Sequence, residues 1–233
     1  MKYAIFADVH ANYAALKAVF EHININYGPA INYYLFGGDA VGQGPHPNEV
    51  CTLLRGKRNL IGIKGDNDVA LLKNLTTGLD KDIVDTIAWT SQILTKENRR
   101  FLDKLEEYVG IHSDGLEILL VHGSPDNLIS GEIYQNIIAE DAKRIFDKTG
   151  ADILLTCHTH TPFVRQFDAR LLINVGSVGQ PRDRDPRACY VFLDTETRQV
   201  TFHRVAYNIT LTAESARRAK LPESFSERLY YGW

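Results

Sequence analysis

Five times along the chain, an apolar run rich in β-branched residues is followed directly by aspartate or histidine. Such runs are typical of strands buried in a sheet, so the polar residues fall where the strands end. In α/β folds the loops at the strand ends meet at one edge of the sheet, where ligands bind. The five motifs are Asp8-Val9-His10, Gly38-Asp39, Gly65-Asp66-Asn67-Asp68, Val121-His122-Gly123 and Cys157-His158-Thr159-His160.

These motifs combine carboxylate oxygens with imidazole nitrogens. That mixture suits divalent metal ions, and a two-metal hydrolytic centre uses both kinds of ligand. A single Asp-x-His or His-x-His segment more often marks a polar loop than a metal site. The joint occurrence of five such segments, each after a predicted strand, favours a metal centre over five unrelated turns.

Composition sets the broad class. A chain of 233 residues with 44% hydrophobic content predicts one domain, 1–233. The net charge of −3, without a Lys/Arg run, argues against a nucleic-acid or membrane-surface partner. The N-terminal apolar run is too short for a signal peptide, and no stretch reaches transmembrane length. Three cysteines without paired spacing favour a reducing cytoplasm over a disulfide framework.

The order of the predicted elements indicates the fold. Three early strands (2–7, 31–36 and 60–64) alternate with helical patterns, which predicts a largely parallel sheet with right-handed crossovers. Later strands come in pairs joined by turns such as Ser113-Asp114-Gly115, which predicts antiparallel hairpins. We therefore expect an α/β fold, a four-layer α/β/β/α sandwich of two stacked mixed sheets flanked by helices. Residues 67–105 have helical periodicity and are predicted to form a helical lobe within the domain.

Taken in order, and continued by the segment Asn174 to Arg182, the motifs resemble those of the calcineurin-like metallophosphoesterases. The resemblance covers most of the chain and implies a phosphoesterase with two divalent ions, such as Mn, Fe, Ni, Co or Zn. A hydroxide bridging the ions is expected to attack phosphorus in line, without a phosphoenzyme. By position, the first ion would be held by Asp8, His10, Asp39 and His160, and the second by Asp39, Asp66, His122 and His158.

Two positions depart from the family pattern. Asp66 stands where the family usually has asparagine, which leaves three carboxylates and less positive charge on the two ions. Asn67 stands where the family has a histidine that protonates the leaving group, and an amide cannot do this. We therefore expect substrates with good leaving groups, such as phosphoanhydrides or aryl phosphates, unless another acid substitutes. His46 is the nearest candidate by position, although a histidine in a surface loop needs no such role.

A phosphate-binding arginine is also absent from its usual place. Related protein phosphatases carry Gly-Asp-x-Val-Asp-Arg-Gly, whereas Gly38 to Gly44 contains no arginine, which argues against a phosphoprotein substrate. Arg182, Arg184 or Arg187 could contact the phosphate instead, with Arg182 preferred. The opposing interpretation is a solvated loop in which Asp183 and Asp185 pair with these arginines.

The prediction is thus a phosphodiesterase or nucleotide phosphohydrolase acting on a small phosphate ester, with Asp39 and Asn67 at the reaction and Asn67 and Arg182 on the substrate. Phosphomonoester or phosphoprotein hydrolysis is one alternative, and a protein-binding scaffold, as in a retromer subunit of similar fold, is another. Two minor questions stay open. Cys157 is a third-ligand candidate or a packed small residue, and the aromatic tail, 229–233, forms a subunit contact in an oligomer or packs back on its own domain.

Overall fold

The computed structural model describes residues 1–233, which form two five-stranded sheets. The first sheet has the order β10-β9-β1-β2-β3, in which β1 to β3 run parallel, β9 is antiparallel to β1, and β10 is antiparallel to β9. It is therefore mixed. Its strands are β1 (Lys2–Phe6), β2 (Tyr33–Phe36), β3 (Leu60–Gly62), β9 (Ala188–Asp194) and β10 (Gln199–Val205).

The second sheet has the order β4-β5-β6-β8-β7. Its three central strands, β5, β6 and β8, are parallel, and β4 and β7 are added at the edges by hairpins. The strands are β4 (Tyr108–Ser113), β5 (Leu116–Val121), β6 (Ile153–Thr156), β7 (Phe163–Phe167) and β8 (Arg170–Asn174).

Eight α-helices surround the sheets, and local signals fix several of their ends. Asn12 caps the first helix by accepting the N–H of Ala15, and Gly150 ends the sixth in a left-handed conformation. None is long and apolar enough to cross a membrane. The helices are α1 (Tyr13–Asn26), α2 (Pro47–Arg55), α3 (Asp66–Lys73), α4 (Lys81–Ile93), α5 (Lys96–Asp103), α6 (Ala139–Thr149), α7 (Ile209–Arg218) and α8 (Glu223–Tyr231).

The layers follow from side-chain alternation along the strands. Tyr3 and Ile5 of β1 belong to an apolar cluster between the sheets, whereas Ala4 and Phe6 belong to the cluster under the helices of the first sheet. A third cluster, which includes Phe146, packs α6 on the outer face of the second sheet. These clusters confirm two stacked mixed sheets flanked by helices.

Sequence patterns placed some elements only in part. The last hairpin, expected in a separate antiparallel group, joins the first sheet across β1. The helix α7 begins at Ile209, where Asn208 caps it. The helix α8 was missed because its periodicity is short, and it begins after Pro222. The predicted helical segment 67–105 contains α4, α5 and all of α3 except its first residue, Asp66.

Candidate metal centre

Six of the seven predicted metal ligands lie on loops that leave the two sheets at one common edge, and the seventh, Asp66, is the first residue of α3 at the same edge. The strands β1, β2 and β3 of the first sheet lead to the three carboxylates and one imidazole, and β5 and β6 of the second sheet lead to the other imidazoles. Backbone contacts join the loops, because the N–H of His158 donates to the Asp8 carboxylate at 3.2 Å. The first sheet supplies Asp8, His10, Asp39 and Asp66, and the second supplies His122, His158 and His160.

The backbone at this edge is unusual. Of the seven residues, five have positive φ: 53° at Asp8, 47° at His10, 58° at Asp39, 64° at His158 and 58° at His160. A left-handed conformation costs a non-glycine residue on the order of 1 kcal/mol or more. Such outliers cluster where a fold holds side chains for function, so their coincidence with the predicted ligands marks this edge as a functional site.

The first group of ligands is fully buried. His10 Nε2 and His160 Nε2 face each other at 3.1 Å, and Asp8 Oδ1 lies 3.2 Å from His160 Nε2 and 3.8 Å from His10 Nε2. The side chains are at most 3% exposed. Asp8 Oδ1 makes no hydrogen bond in the protein. A buried carboxylate oxygen without a donor, beside two convergent imidazole nitrogens, is the arrangement that a cation completes.

The second group is more open. Asp66 Oδ1 lies 3.2 Å from His122 Nε2 and 3.1 Å from His158 Nδ1. His122 is fully buried, but the side chains of Asp66 and His158 are 22% and 20% exposed. In each group the three ligand atoms lie within 4.8 Å of one another, close enough to share an ion.

Asp39 lies between the groups. Its Oδ2 is 3.6 Å from His10 Nε2 in the first group and 3.8 Å from His122 Nε2 in the second. Asn67 fixes the carboxylate, because its backbone N–H donates to Oδ1 at 3.0 Å and its Nδ2 donates to Oδ2 at 2.7 Å. Gly65 makes this contact possible, since a Cβ there would collide with the carboxylate.

Backbone carbonyls orient two of the imidazoles. His122 Nδ1 lies 2.7 Å from the carbonyl oxygen of Gly37, and His160 Nδ1 lies 2.5 Å from that of Gln180. A hydrogen bond at Nδ1 fixes the tautomer and leaves Nε2 free to accept a metal. In both residues it is Nε2 that points into the centre.

The acidic and imidazole groups of the centre shift one another's pKa values. Burial raises the pKa of Asp39, and the charge of Asp66 raises it further. Burial opposes ionisation of Asp8 as well, but His160, His122 and His10 together lower its pKa to about 2. Burial lowers the pKa of His10 well below its ordinary value, whereas at His122 the carboxylates of Asp39, Asp66 and Asp8 outweigh burial and raise the pKa. Carboxylates and imidazoles held this close together, with one buried carboxylate oxygen that has no donor, form a donor set that fits divalent cations.

Cys157 lies within reach of Asp8 and His122, but its packing favours the structural interpretation. It is 1% exposed, and burial raises the pKa of its thiol to about 12. Its Sγ occupies the space where a side chain on Gly37 would lie. A neutral thiol in this position packs two strand-end loops together.

Sequence reasoning missed the role of Asp68. This buried carboxylate accepts N–H groups from Asp39 at 2.9 Å, Ala40 at 3.0 Å, and Val41 and Gly65 at 3.2 Å each. It thus holds the Asp39 loop against the start of α3. Its position, third in the helix that follows Gly65, is where an acidic side chain caps a helix, and this signal was available in the sequence.

The remaining candidates lie around the centre. Arg182 is exposed and its backbone N–H donates to the carbonyl of His160 at 3.2 Å. Arg187 instead pairs with Asp185 at 2.7 Å, so the predicted loop pairing holds for that arginine. His46 is half-buried, and its backbone N–H donates to the carbonyl of Ala11 at 3.0 Å.

Comparison with known proteins identifies the family. The model of the calcineurin-like phosphoesterase superfamily domain matches residues 1–198. The chain belongs to this superfamily. This phosphoesterase is 31% identical over 245 residues to an uncharacterized protein of Methanocaldococcus jannaschii, covering 98% of the chain and 97% of that relative.

Two solved structures are similar along their whole length. A metallophosphoesterase from Sphaerobacter thermophilus is 33% identical with a TM-score of 0.85, covering 100% of this chain and 99% of that one. A hypothetical protein from Pyrococcus horikoshii is 26% identical with a TM-score of 0.91, covering 100% and 98%. Together with the Asp/His groups, these matches confirm the prediction of a metal-binding phosphoric ester hydrolase.

Proposed function

We propose that the chain is a two-metal phosphodiesterase or nucleotide phosphohydrolase acting on a small phosphate ester. The observation that carries the proposal is that Asp39 lies within 4 Å of an imidazole in each of two ligand groups, at 3.6 Å and 3.8 Å. We assign one ion to Asp8, His10, Asp39 and His160, and the other to Asp39, Asp66, His122 and His158.

The mixed oxygen and nitrogen donors suit Mn, Fe, Ni, Co or Zn. When bound, two such ions supply an activated water and a Lewis acid for phosphoester hydrolysis. The protein contributes the fixed geometry. Asn67 holds Asp39 in place, the carbonyls of Gly37 and Gln180 orient two imidazoles, and Arg182 offers a guanidinium to phosphate oxygens. Substrate contact by Asn67 stays a prediction.

The contacts of Asn67 bear on the leaving group. Its amide nitrogen donates to Asp39 at 2.7 Å and to Asp66 at 3.3 Å, so both of its hydrogens are directed at carboxylates. An amide in this position stabilises the site but gives no proton to a departing alkoxide. This supports substrates whose leaving groups depart as stable anions, namely phosphoanhydrides and aryl esters.

A series of aryl phosphodiesters with graded leaving-group pKa tests the proposal, after metal analysis has identified an activating ion. We expect the rate to fall steeply as the leaving-group pKa rises. Asn67→His, which introduces an imidazole at the family's usual position, should flatten this dependence. A flat dependence in the unmodified protein, with the chemical step rate-limiting, would contradict the proposal.

Two controls complete the test. His46→Gln should leave the dependence unchanged if no other acid acts, whereas a steeper dependence would assign His46 that role. Faster hydrolysis of mono-aryl than of bis-aryl phosphates would favour a phosphomonoesterase. Bound metal without turnover of any ester would favour a protein-binding scaffold.

A further inference from the structure

A cleft of about 570 Å³ opens between the start of α4, the loop that carries Arg182, and α8. Its size lies within the range of roughly 300–1,000 Å³ that is typical of small-molecule sites. Its charged and aromatic lining residues are Asp80, Lys81, Asp82, Arg182, Phe225, Arg228 and Trp233. Lys81 already pairs with Asp85, and Asp82 accepts a hydrogen bond from Ser224 Oγ at 2.6 Å. Part of the cleft lies in α8, beyond the residues matched by the family model.

The cleft adjoins the metal centre. Arg182 lines it and is bonded through its backbone to His160. Gln180 accepts a hydrogen bond from His160 Nδ1 through its carbonyl, and its side chain donates to the carbonyl of Phe225 at 3.5 Å. The cleft is thus joined to the predicted ligand His160 through Arg182 and Gln180.

Two arginines in the cleft have no carboxylate partner. Arg182 and Arg228 form no ion pair, whereas nearby Arg187, Arg204 and Arg217 each pair with an acid. The guanidinium of Arg228 instead lies 5.6 Å from the centre of the Phe225 ring. Guanidinium groups that are free of carboxylates are suited to phosphate oxygens, which they bind in a bidentate manner.

Two further lining residues, Trp233 and Asp80, supply an exposed aromatic ring and a carboxylate without an ion pair. Trp233 is 57% exposed, and the residue before it is fixed because Arg184 N–H donates to the Gly232 carbonyl at 2.7 Å. An exposed indole on a fixed backbone is a stacking surface for a nucleobase. Asp80 is exposed at the start of α4, and a carboxylate there can accept hydrogen bonds from ribose hydroxyls.

We propose that this cleft binds the nucleoside phosphate portion of the substrate, with the base on Trp233, the ribose near Asp80, and a non-reacting phosphate between Arg182 and Arg228. The assignment rests on the proposed function and narrows it to nucleotide phosphohydrolysis. It agrees with Asn67, because a nucleoside phosphate released from an anhydride needs no proton from the protein.

The test measures binding of two probes to the full chain loaded with zinc. The probes are adenosine 5′-(α,β-methylene)diphosphate and methylenediphosphonate, which differ by the adenosine alone. We expect calorimetry to give an about tenfold or larger preference for the nucleotide, as base stacking produces. Trp233→Leu should remove the preference, and Arg228→Gln should weaken binding of both probes.

Matched controls separate these effects from general damage. Tyr108→Leu removes another exposed aromatic residue, and Arg58→Gln removes another exposed arginine without an ion pair, so neither should change either affinity. The chain has two tryptophans, so in Trp89→Phe the fluorescence reports Trp233 alone. That signal should respond to the nucleotide and not to methylenediphosphonate.

Failure of this inference is distinct from failure of the proposed function. Equal affinity for the two probes, or a preference that survives in Trp233→Leu, would overturn the cleft assignment even in an active enzyme. Absence of turnover on every phosphate ester with every candidate ion would overturn the proposed function, whatever the probes show.

Discussion

The two groups of proposed metal ligands differ in burial, although Asp39 is proposed to belong to both. Asp8, His10 and His160 are at most 3% exposed, whereas Asp66 and His158 are 22% and 20% exposed. The first group is covered by the segment from Ser177 to Gln180, since Ser177 Oγ donates to the Asp8 carbonyl at 2.7 Å. The second group faces solvent at the start of α3. One side of the centre is thus built into the core, and the other is open to exchange.

This difference in burial suits the two groups to different roles. Buried ligands with hydrogen-bonded surroundings lose little conformational freedom when they bind, so they are expected to hold an ion tightly. Ligands near solvent admit substrate and water, and they release an ion more readily. The proposed sharing of Asp39 is expected to couple the two groups, because a change in that carboxylate would alter both metal sites.

The largest effect is expected from Asp39→Asn. The substitution keeps the shape of the side chain but removes the charge shared by the two groups. We expect turnover to fall by about 1,000-fold or more, since metal ions contribute several kcal/mol of charge stabilisation. Steady-state kinetics and metal analysis on the same sample check this. Full activity with two ions bound would show that the groups work without a shared carboxylate.

Chelation tests the difference in burial directly. When a chelator is added to the metal-loaded protein, we expect two phases, with the faster phase belonging to the Asp66, His122 and His158 group. His158→Gln should lower the affinity of that site by at least about tenfold and leave the slow phase in place. Atomic absorption of the retained metal gives the measurement. A single phase would mean that the difference in burial has no consequence for metal retention.

Asp68 tests how far the centre depends on a residue that is not a predicted ligand. Asp68→Asn places an amide where four N–H groups converge. We expect a loss of roughly 1–3 kcal/mol in the free energy of unfolding, the cost of unsatisfied buried groups. Urea unfolding measures it, with Asp103→Asn on the surface of α5 as the control. Equal stability of the two variants would remove Asp68 from the support of the site.

The sequence was a better guide to the site than to the edges of the fold. The acid and histidine motifs contain residue types that bind metals, and each motif follows a strand. The ends of neighbouring strands lie together at one edge of a sheet, so the motifs meet regardless of how the helices pack. The place of β9 and β10 depends on which edge is free to pair, and this is decided by the whole first sheet rather than by any local pattern. The helix α8 and the cleft beside it were also not predicted. Arg182 and Trp233 are distant in the sequence and line one cleft only in the folded chain.

The support given by Asp68 and Gln180 could be predicted only in part. An acid three residues into a helix signals a cap, but its three bonds to the 39–41 loop need the tertiary structure. Gln180 orients His160 through its backbone carbonyl, which carries no side-chain signal at all. Backbone acceptors of this kind are invisible in a sequence until the loops are placed.

The smallest effect concerns Cys157, which lies between the two groups. Burial raises its thiol pKa to about 12, from an ordinary value of 9.0. Above pH 9 the unfolded chain therefore releases a proton that the folded chain keeps, and stability falls as pH rises. Between pH 8 and pH 10 the loss from this thiol is about 1.4 kcal/mol.

Cys157→Ala should remove that part of the alkaline loss while both ions stay bound. Urea unfolding at the two pH values, with metal analysis at pH 8, compares the variant with the unmodified protein. Because Tyr207 and Cys189, also with pKa values raised to about 12 by burial, are present in both proteins, they cancel in the difference. Loss of one ion in Cys157→Ala would show that the thiol is a metal ligand. The two groups would then form one larger group, and the comparison of a buried group with an open group would no longer hold.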